Sequence, residues 1–425
     1  MTTRIRAGLS LALLLLAGCV TSKPPAPAPA PHLVLTPGHF TDLPGWAGDD
    51  LAAAVPALRH SCPTLSRMPG PATSLPVTAP PVTSTATAST AEAVPLLGTP
   101  AQWREICGAA ARLPAGDQGA ARAFFERWFL PYRAQSTVAD SGLFTGYYEA
   151  TLHGSLTPSA RDDVPIYRRP PNLVTVDLGR FRRDLAGKRI AGRVEGGQLV
   201  PYPDRAAIED GALAGRGLEL AWADSAIDAF FLEIQGSGRL ILDDGRVLRL
   251  HYDGQNGRDY VPIGRILVRE HGVPAKEVSM PYLRRWIAEH GAAGRDLMRR
   301  NPSYVFFTAR PLDDPTRGPE GAAGVPLTPG RSLAVDPRFV PYGLPAWIDA
   351  EDDTLPGGRW RHLAIAQDTG GAIRGPVRAD LFFGYGDAAA AHAGVMKGQG
   401  RWWLLGVRPQ PSEAKAGVEP PPSGT

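Results

Sequence analysis

The chain has 425 residues, of which 48 are glycine and 43 are proline, a combined share well above the usual value of about 12%. This excess favours turns, β-structure and linkers over a long helical bundle, and 43% hydrophobic residues exclude a wholly disordered chain. A net charge of +3 is too small to indicate nucleic-acid binding. At about 150 residues per domain, the length predicts two folded domains, or one domain split by an insertion.

The N-terminus has the order of a secretory signal. Two arginines precede an apolar run over 9–16, which is shorter than the about 20 residues needed to span a bilayer. The run ends in LAGC, which resembles a bacterial lipobox and predicts a lipoprotein signal peptide over 1–19 with lipidation at Cys19. An ordinary secretory signal is the alternative. Val20, rather than aspartate, follows the cysteine, which favours the periplasmic side of the outer membrane of a Gram-negative bacterium.

Residues 20–50 are predicted to be a Pro/Ala-rich linker between the anchor and the folded body. In an oxidising compartment, the remaining pair Cys62 and Cys107 favours a disulfide over a metal site, with two buried free thiols as the alternative. Neither CxxC nor HExxH occurs in the sequence, so we predict no metal and no cofactor. The segment 69–99, rich in Pro, Ala, Ser and Thr, and the tail 409–425 are predicted to be disordered.

Hydrophobic periodicity predicts short elements in the body. Helices are expected over 103–112, over a run capped by Asp117, and over 280–290 and 388–395. Strands are expected over 143–149, 231–235, 239–242, 247–252, 304–307, 332–335, 346–348, 362–367, 380–383 and 402–407. Short strands with glycine turns and few helices favour a β-barrel. Trp402 and Trp403 alternate on the last strand, so we expect one of them in the core.

Three aspartates of the C-terminal third lie at the edges of apolar runs. Asp336 and Asp368 each follow an apolar strand, whereas Asp380 begins one. Side chains at such positions leave the core where a strand ends, which is where catalytic groups commonly lie. The alternative is that these aspartates only cap the local turns.

The residues around these aspartates resemble a known family. QDTGGAIRG at 367–375 and RADLFFG at 378–384 are similar to the three-aspartate (3D) domain of the membrane-bound lytic murein transglycosylase A family. Four other segments resemble the same family in its order, namely FTGYYE at 144–149, PIY at 165–167, FLEIQGSG at 231–238 and NPSYVFF at 301–307. The resemblance covers roughly residues 101–409.

The resemblance implies a mainly β protein with a few short helices. A double-psi β-barrel domain would be interrupted by an inserted second β-domain. The barrel would consist of residues 51–150 and 305–408, and the insert of residues 151–304. A groove between the two domains would hold a glycan strand, to which we expect three side chains to contribute: Thr145, Tyr147 and Gln235.

The resemblance also implies an activity. Members of this family cleave the β-1,4 bond between N-acetylmuramic acid and N-acetylglucosamine in peptidoglycan and leave 1,6-anhydromuramoyl ends. The chain would therefore be a peptidoglycan lytic exotransglycosylase, attached to a membrane through Cys19, with cell-wall synthesis proteins as candidate partners and no nucleic acid. The catalytic residue of the family corresponds to Asp380, with Asp368 and Asp336 as active-site support.

One carboxyl could serve twice in such a reaction. Most glycoside hydrolases need two carboxylates, but here the muramic acid C6 hydroxyl attacks C1 of its own sugar and is already tethered. Asp380 would protonate the leaving oxygen and then accept the C6 proton. An acid at neutral pH needs a raised pKa, from partial burial by residues 381–383 or from the charge of Asp368 or Asp336. The sequence leaves the dominant cause open.

Two other functions remain open from sequence. The chain could be a lipoprotein that binds wall glycan without cutting it, or a hydrolase on the same fold that uses two carboxylates. The presence of all three aspartates favours the transglycosylase over the binding protein.

Overall fold

A computed structural model describes residues 31–68 and 96–409, which belong to one compact unit. The predicted signal peptide with Cys19, the linker before residue 31, the loop residues 69–95 and the tail from residue 410 lie outside the described residues. Among the described helices, none is long and apolar enough to cross a membrane.

Sixteen strands lie within the described residues. They are β1 Leu33–Pro37, β2 Phe129–Ser136, β3 Gly142–Ser155, β4 Val164–Tyr167, β5 Val174–Asp177, β6 Arg189–Glu195, β7 Gln198–Pro201, β8 Glu219–Ala223, β9 Ser237–Leu242, β10 Val247–Gln255, β11 Val305–Pro311, β12 Ser332–Val335, β13 Pro345–Glu351, β14 Arg359–Asp368, β15 Arg378–Tyr385 and β16 Lys397–Val407. The helices of the same residues are short: α1 Val55–Leu65, α2 Pro100–Ala111, α3 Gln118–Trp128, α4 Arg205–Ala207, α5 Ala226–Gln235, α6 Ile263–His271, α7 Met280–Glu289, α8 Gly291–Arg299 and α9 Gly386–Val395.

Six strands close into a ring. Their order is β16–β13–β14–β12–β15–β3, and β3 pairs back with β16. The β12–β14 and β15–β3 pairs are parallel, and the other pairs of the ring are antiparallel. The interior is filled by fully buried side chains that include Phe144, Ile348 and Trp402. Because the interior is packed, polar chemistry has to occur on the outside of this barrel or at its ends.

Strand β3 leaves the barrel and continues into a second sheet. Its residues up to Glu149 pair with β15, whereas Ala150 to Gly154 pair in parallel with β9. The second sheet contains β8, β4, β10 and β11, and β5, β6 and β7 form a separate three-stranded sheet. The barrel and the second sheet therefore share one continuous strand, which fixes the end of the barrel relative to the second sheet.

Several boundaries differ from the prediction. Residues 31–50 were expected to be linker, but β1 pairs with β2, and Asp49 is buried in an ion pair with Arg331. Thr99, expected in the disordered loop, caps α2 by accepting a hydrogen bond from the backbone of Gln102. β11, expected in the barrel, pairs with β10 of the second sheet instead. Composition did not reveal β1 and the burial of Asp49 because their partners, β2 and Arg331, lie far away in the sequence.

The segment 231–235 was predicted to be a strand and is instead the end of helix α5. Ser225 caps the start of this helix, and Gly236 ends it in the left-handed conformation that favours glycine. The stabilisation of the helix ends by these caps outweighs the strand propensity of the residues between them. The other nine predicted strands each overlap an observed strand, and the predicted helices overlap α2, α3, α7 and α9. Trp402 and Trp403 are both buried, so neither is available to stack on a sugar.

Cys62 and Cys107 form a disulfide between α1 and α2, with their Cα atoms 5.8 Å apart. The two cysteines are separated by 45 residues, including the residues 69–95 that lie outside the description. Both helices contribute side chains to the hydrophobic core that they share with the barrel.

Candidate functional site

A line of side chains crosses five strands near one end of the barrel. In the pairing register Asp368 lies opposite Ala334, Ala334 opposite Asp380, Asp380 opposite Thr145, and Thr145 opposite Lys397. Residues paired across strands direct their side chains to the same face. We call these five residues the aspartate row. With strands about 4.8 Å apart, the Cα atoms of the two aspartates are about 10 Å apart.

The row lies on the outer face of the barrel. Leu333 and Val335 belong to the barrel core, so Ala334 between them points outward. Ala334 belongs to a small apolar cluster with Tyr147 and Phe382, which lie beside the row on the same face of the barrel. Because alanine is small, it leaves space between the two carboxyl groups.

One oxygen of Asp380 is held by a short relay. The hydroxyl of Thr145 donates to Asp380 Oδ1 at 2.5 Å, and Arg378 Nη2 donates to Thr145 Oγ1 at 2.8 Å. Arginine has only donors, so the single hydroxyl proton of Thr145 has to point toward Asp380. Asp380 Oδ1 is therefore an acceptor, and Oδ2 has no hydrogen-bond partner among the described residues.

The environment of Asp380 favours its protonated form. Burial raises the pKa of Asp380 above its usual value of 3.8, whereas the charge of Arg378 and the Thr145 hydrogen bond act to lower it. The side chain is nevertheless only half-buried. Asp380 therefore combines a raised pKa with access from outside the barrel, as a general acid requires.

Asp368 accepts a hydrogen bond on each oxygen. The hydroxyl of Tyr147 donates to Oδ2 at 2.9 Å, and the backbone N–H of Ala322 donates to Oδ1 at 2.9 Å. Burial raises the pKa of Asp368, the charge of Asp380 adds to this rise, and the two donors act to lower the pKa. Because both oxygens are acceptors, Asp368 has less freedom than Asp380 to carry a proton toward a ligand.

Asp336 lies outside the row. Its buried carboxylate accepts from Arg338 Nη2 at 2.6 Å and from the backbone N–H of Gly375 at 2.9 Å. Burial acts to raise the pKa of Asp336, but the hydrogen bonds from Arg338 and Gly375 outweigh it and hold the pKa below its usual value. Asp336 therefore ties the loop before β15 to the end of β12, and its charge is not among the causes that raise the pKa of Asp380.

Two of the three side chains predicted to contact a glycan form hydrogen bonds within the protein instead. The Tyr147 ring is buried and its hydroxyl positions Asp368. Gln235 ends α5, and its Oε1 accepts from the backbone N–H of Tyr148 at 3.0 Å. Thr145 is half-buried in the row and holds Asp380 directly.

Arg378 and Ala322 were not predicted as site residues. The sequence could have indicated Arg378, because residues two apart on a strand share a face. Asp380 lies two residues after Arg378 on the predicted strand. No sequence signal points to the Ala322 N–H, which comes from a loop 46 residues away from Asp368. Within residues 31–68 and 96–409, no three His, Cys, Asp or Glu side chains lie close enough to hold a metal ion.

Comparisons with known proteins identify the family that this chain resembles. Residues 143–308 match the MltA specific insert domain, and residues 331–406 match the 3D domain. Membrane-bound lytic murein transglycosylase A of Vibrio cholerae is 37% identical over 227 residues, which are 51% of this chain and 60% of that protein. The chain thus spans 60% of the length of this relative.

Two solved structures are similar over most of their length. A membrane-bound lytic murein transglycosylase from Agrobacterium tumefaciens has a TM-score of 0.73 and 34% identity, covering 88% of this chain and 98% of that chain. The MltA of E. coli with bound chitohexaose has a TM-score of 0.60 and 26% identity, covering 88% and 92%. The fold and the row define a mainly β, 3D-domain protein. The chain belongs to the membrane-bound lytic murein transglycosylase A family, which confirms the resemblance seen in the sequence.

Proposed function

We propose that this chain is a lytic transglycosylase that cleaves the β-1,4 bond between N-acetylmuramic acid and N-acetylglucosamine in peptidoglycan. The observation that carries the proposal is the state of Asp380: half-buried, with a raised pKa, one oxygen held by Thr145 and the other without a partner among the described residues. The family supports the same activity, and a relative from E. coli binds chitohexaose, a chain of linked amino sugars. Glycan strands of peptidoglycan are therefore the proposed substrate.

The hydrogen bonds from Arg378 to Thr145 and from Thr145 to Asp380 favour one oxygen of Asp380 as the site of the acid proton. Because Oδ1 of Asp380 accepts from Thr145, the proton of the neutral acid resides on Oδ2. This proton passes to the leaving glycosidic oxygen as the C1–O4 bond breaks. The muramic acid O6 then forms the new bond to C1, and its proton passes to the Asp380 carboxylate. No water is consumed, and Asp380 ends as it began.

Arg378 and Thr145 act on the ionised intermediate state of Asp380. The Thr145 hydroxyl and the Arg378 charge both favour the carboxylate, so they stabilise it after it has given up its proton. Asp368 is the second acidic group of the row; burial raises its pKa, and the donors on its two oxygens stabilise its ionised form. A negative Asp368 would face the positive charge that develops on the sugar ring.

We also infer that the six-strand ring is the double-psi β-barrel implied by the resemblance, with the second sheet as the inserted domain. The two parallel pairings within the ring, β12–β14 and β15–β3, support this inference. The match of residues 143–308 to the MltA specific insert domain supports the insertion. The groove for the glycan would lie where β3 passes from the barrel to the second sheet.

The product of the reaction tests the proposal. Purified sacculi are digested with the protein, and the soluble muropeptides are analysed by mass spectrometry. Anhydro-muropeptides are expected. Reducing muropeptides, one water heavier, would indicate a hydrolase, and no release at all would indicate a binding protein. Asp380→Asn should release nothing, whereas Asp387→Asn, the same change at an exposed aspartate of α9, should behave as wild type.

Membrane attachment is a separate proposal, based on the lipobox at Cys19 and on relatives named membrane-bound. The outer membrane is the proposed location. Wild-type protein should sediment with membranes after cell lysis, and Cys19→Ala should not be lipidated. A wild-type protein that is fully soluble after lysis would contradict the anchor.

A further inference from the structure

The small sheet β5–β6–β7 has an apolar outer face. Ala191 of β6 packs with the buried cluster around Tyr202, and Gly257 lies directly against it. Since side chains alternate along a strand, the neighbours of Ala191 point away from the body. The register brings five apolar side chains to this outer face: Val174, Val176, Ile190, Val194 and Leu199. Four of them are between 38% and 60% exposed.

The loop between β5 and β6 adds an exposed aromatic ring and a cluster of cations. Phe181 is 75% exposed, more than any other large apolar side chain of the described residues. Four exposed cations lie in the same loop: Arg180, Arg182, Arg183 and Lys188. Arg182 pairs with Asp184 at 2.7 Å, and the other three make no ion pair with any described residue. We call the five outer apolar residues, Phe181 and these cations the basic apolar face.

We infer that the basic apolar face docks on the surface of a lipid bilayer that contains anionic phospholipids. Apolar side chains flanked by arginine and lysine match the boundary between acyl chains and headgroups, and each cation near an anionic surface adds attraction. The arginine and lysine stems can lie along apolar surface while their charges reach the phosphates. This inference concerns a surface that shares no residue with the aspartate row and does not depend on the proposed reaction.

The chain length between the predicted anchor and the body is compatible with this docking. Thirteen residues separate Cys19 from Leu33, the first residue of β1, and can span at most about 45 Å. A lipid on Cys19 would hold the body within that distance of the membrane. A second contact that is weak by itself then acts at high effective concentration.

Vesicle binding by the unlipidated protein tests the inference. The chain from position 19 onward with Cys19→Ser is sedimented with phosphatidylcholine vesicles and with vesicles that also contain phosphatidylglycerol. We expect binding only to the anionic vesicles, and weaker binding as salt rises. The triple change Arg180→Gln, Arg183→Gln and Lys188→Gln should weaken binding about 100-fold, at about fivefold per lost cation.

A matched pair of variants tests the apolar part. Val194 and Val138 are both 60% exposed, but only Val194 lies on the basic apolar face. Val194→Ser should weaken vesicle binding and Val138→Ser should leave it unchanged, while both variants cleave soluble murein fragments as wild type does. The absence of vesicle binding, equal binding to both vesicle types, or equal effects of the two variants would overturn the inference. So would a dimer in solution that Val194→Ser abolishes, because a second copy would then cover the face.

Discussion

Two neighbouring regions of the barrel each contain an aspartate and an arginine two residues apart. In the loop after β12, Arg338 donates through Nε and Nη2 to both oxygens of Asp336. In the aspartate row, Arg378 and Asp380 share a face of β15, but the guanidinium donates to the Thr145 hydroxyl. The pKa of Asp336 is lowered, and that of Asp380 is raised.

The difference shows how the same residue types give opposite chemistry. A direct arginine contact commits both oxygens of Asp336 to the ionised state, which suits a group that holds a loop in place. In the row, a hydroxyl stands between the arginine and the carboxyl. Asp380 can therefore be protonated, yet its carboxylate still has a donor and a nearby positive charge when the proton has left.

The largest expected effect is that of Asp380→Asn. The amide can neither donate the acid proton nor accept the C6 proton, so kcat should fall by at least about 10²–10⁴-fold. Release of anhydro-muropeptides from sacculi measures this loss. Activity close to wild type would remove Asp380 from the mechanism and make Asp368 the next candidate.

The same variant also gives a stability prediction with a defined sign. Because the folded-state pKa of Asp380 is raised, its neutral form favours the folded state, and this contribution is fully present below the unfolded value of 3.8 and lost as pH rises through the folded value. Asp380→Asn should therefore melt at or above the wild-type temperature at neutral pH. A lower melting temperature there would show that the ionised carboxylate stabilises the fold.

Asp336→Asn should have the opposite profile. Loss of the carboxylate weakens the bonds to Arg338 and Gly375, and we expect unfolding to become easier by about 1–3 kcal/mol. Because the pKa of Asp336 is lowered, its contribution is present above the unfolded value of 3.8 and lost as pH falls through the folded value. Thermal melts of the two proteins should differ at neutral pH and converge in acid. Equal melting temperatures throughout would contradict the structural role of Asp336.

Thr145→Val tests the relay. The Thr145 hydrogen bond lowers the pKa of Asp380, so removing it should raise that pKa and move the alkaline limb of the pH–rate profile to higher pH. We also expect kcat to fall by about tenfold or more, because the carboxylate loses a donor. Thr145→Ser keeps the hydroxyl, so the alkaline limb of its pH–rate profile should stay at the wild-type pH. An unchanged limb in the valine variant would show that Thr145 acts only in packing.

Arg378→Lys should give the smallest change. The positive charge remains, so most of its lowering effect on the pKa of Asp380 is kept, although the hydrogen bond to Thr145 is weakened. Arg378→Gln removes the charge and should shift the alkaline limb upward. Equal profiles for the lysine and glutamine variants would show that the charge of Arg378 does not act on Asp380.

Strand ends and apolar periodicity drew attention to Asp336, Asp368 and Asp380, but the family resemblance, not the pattern, distinguished a catalytic Asp380 from an aspartate that caps a turn, and Asp336 lies outside the row. The roles of Arg338 and Arg378 could not be predicted from their spacing, because each lies two residues from an aspartate. In the turn after β12, Arg338 binds Asp336 directly, whereas on strand β15 Arg378 lies beside Asp380 and binds Thr145 instead. The strand β1, with the sequence LVLTP, was missed because it directly follows the Pro/Ala-rich segment and was assigned to the linker with it, and its partner β2 lies far away in the sequence. Helix α5 was missed because its end caps outweigh its strand-forming residues.

Oxygen labelling during cleavage shows most directly whether water or the tethered C6 hydroxyl attacks C1. Sacculi are digested in water enriched in ¹⁸O, and the muropeptides are analysed by mass spectrometry immediately after release. We expect anhydro-muropeptides that contain no ¹⁸O. One ¹⁸O atom at each newly formed end would show that water attacks C1, and would contradict cleavage by a single carboxyl and the tethered C6 hydroxyl.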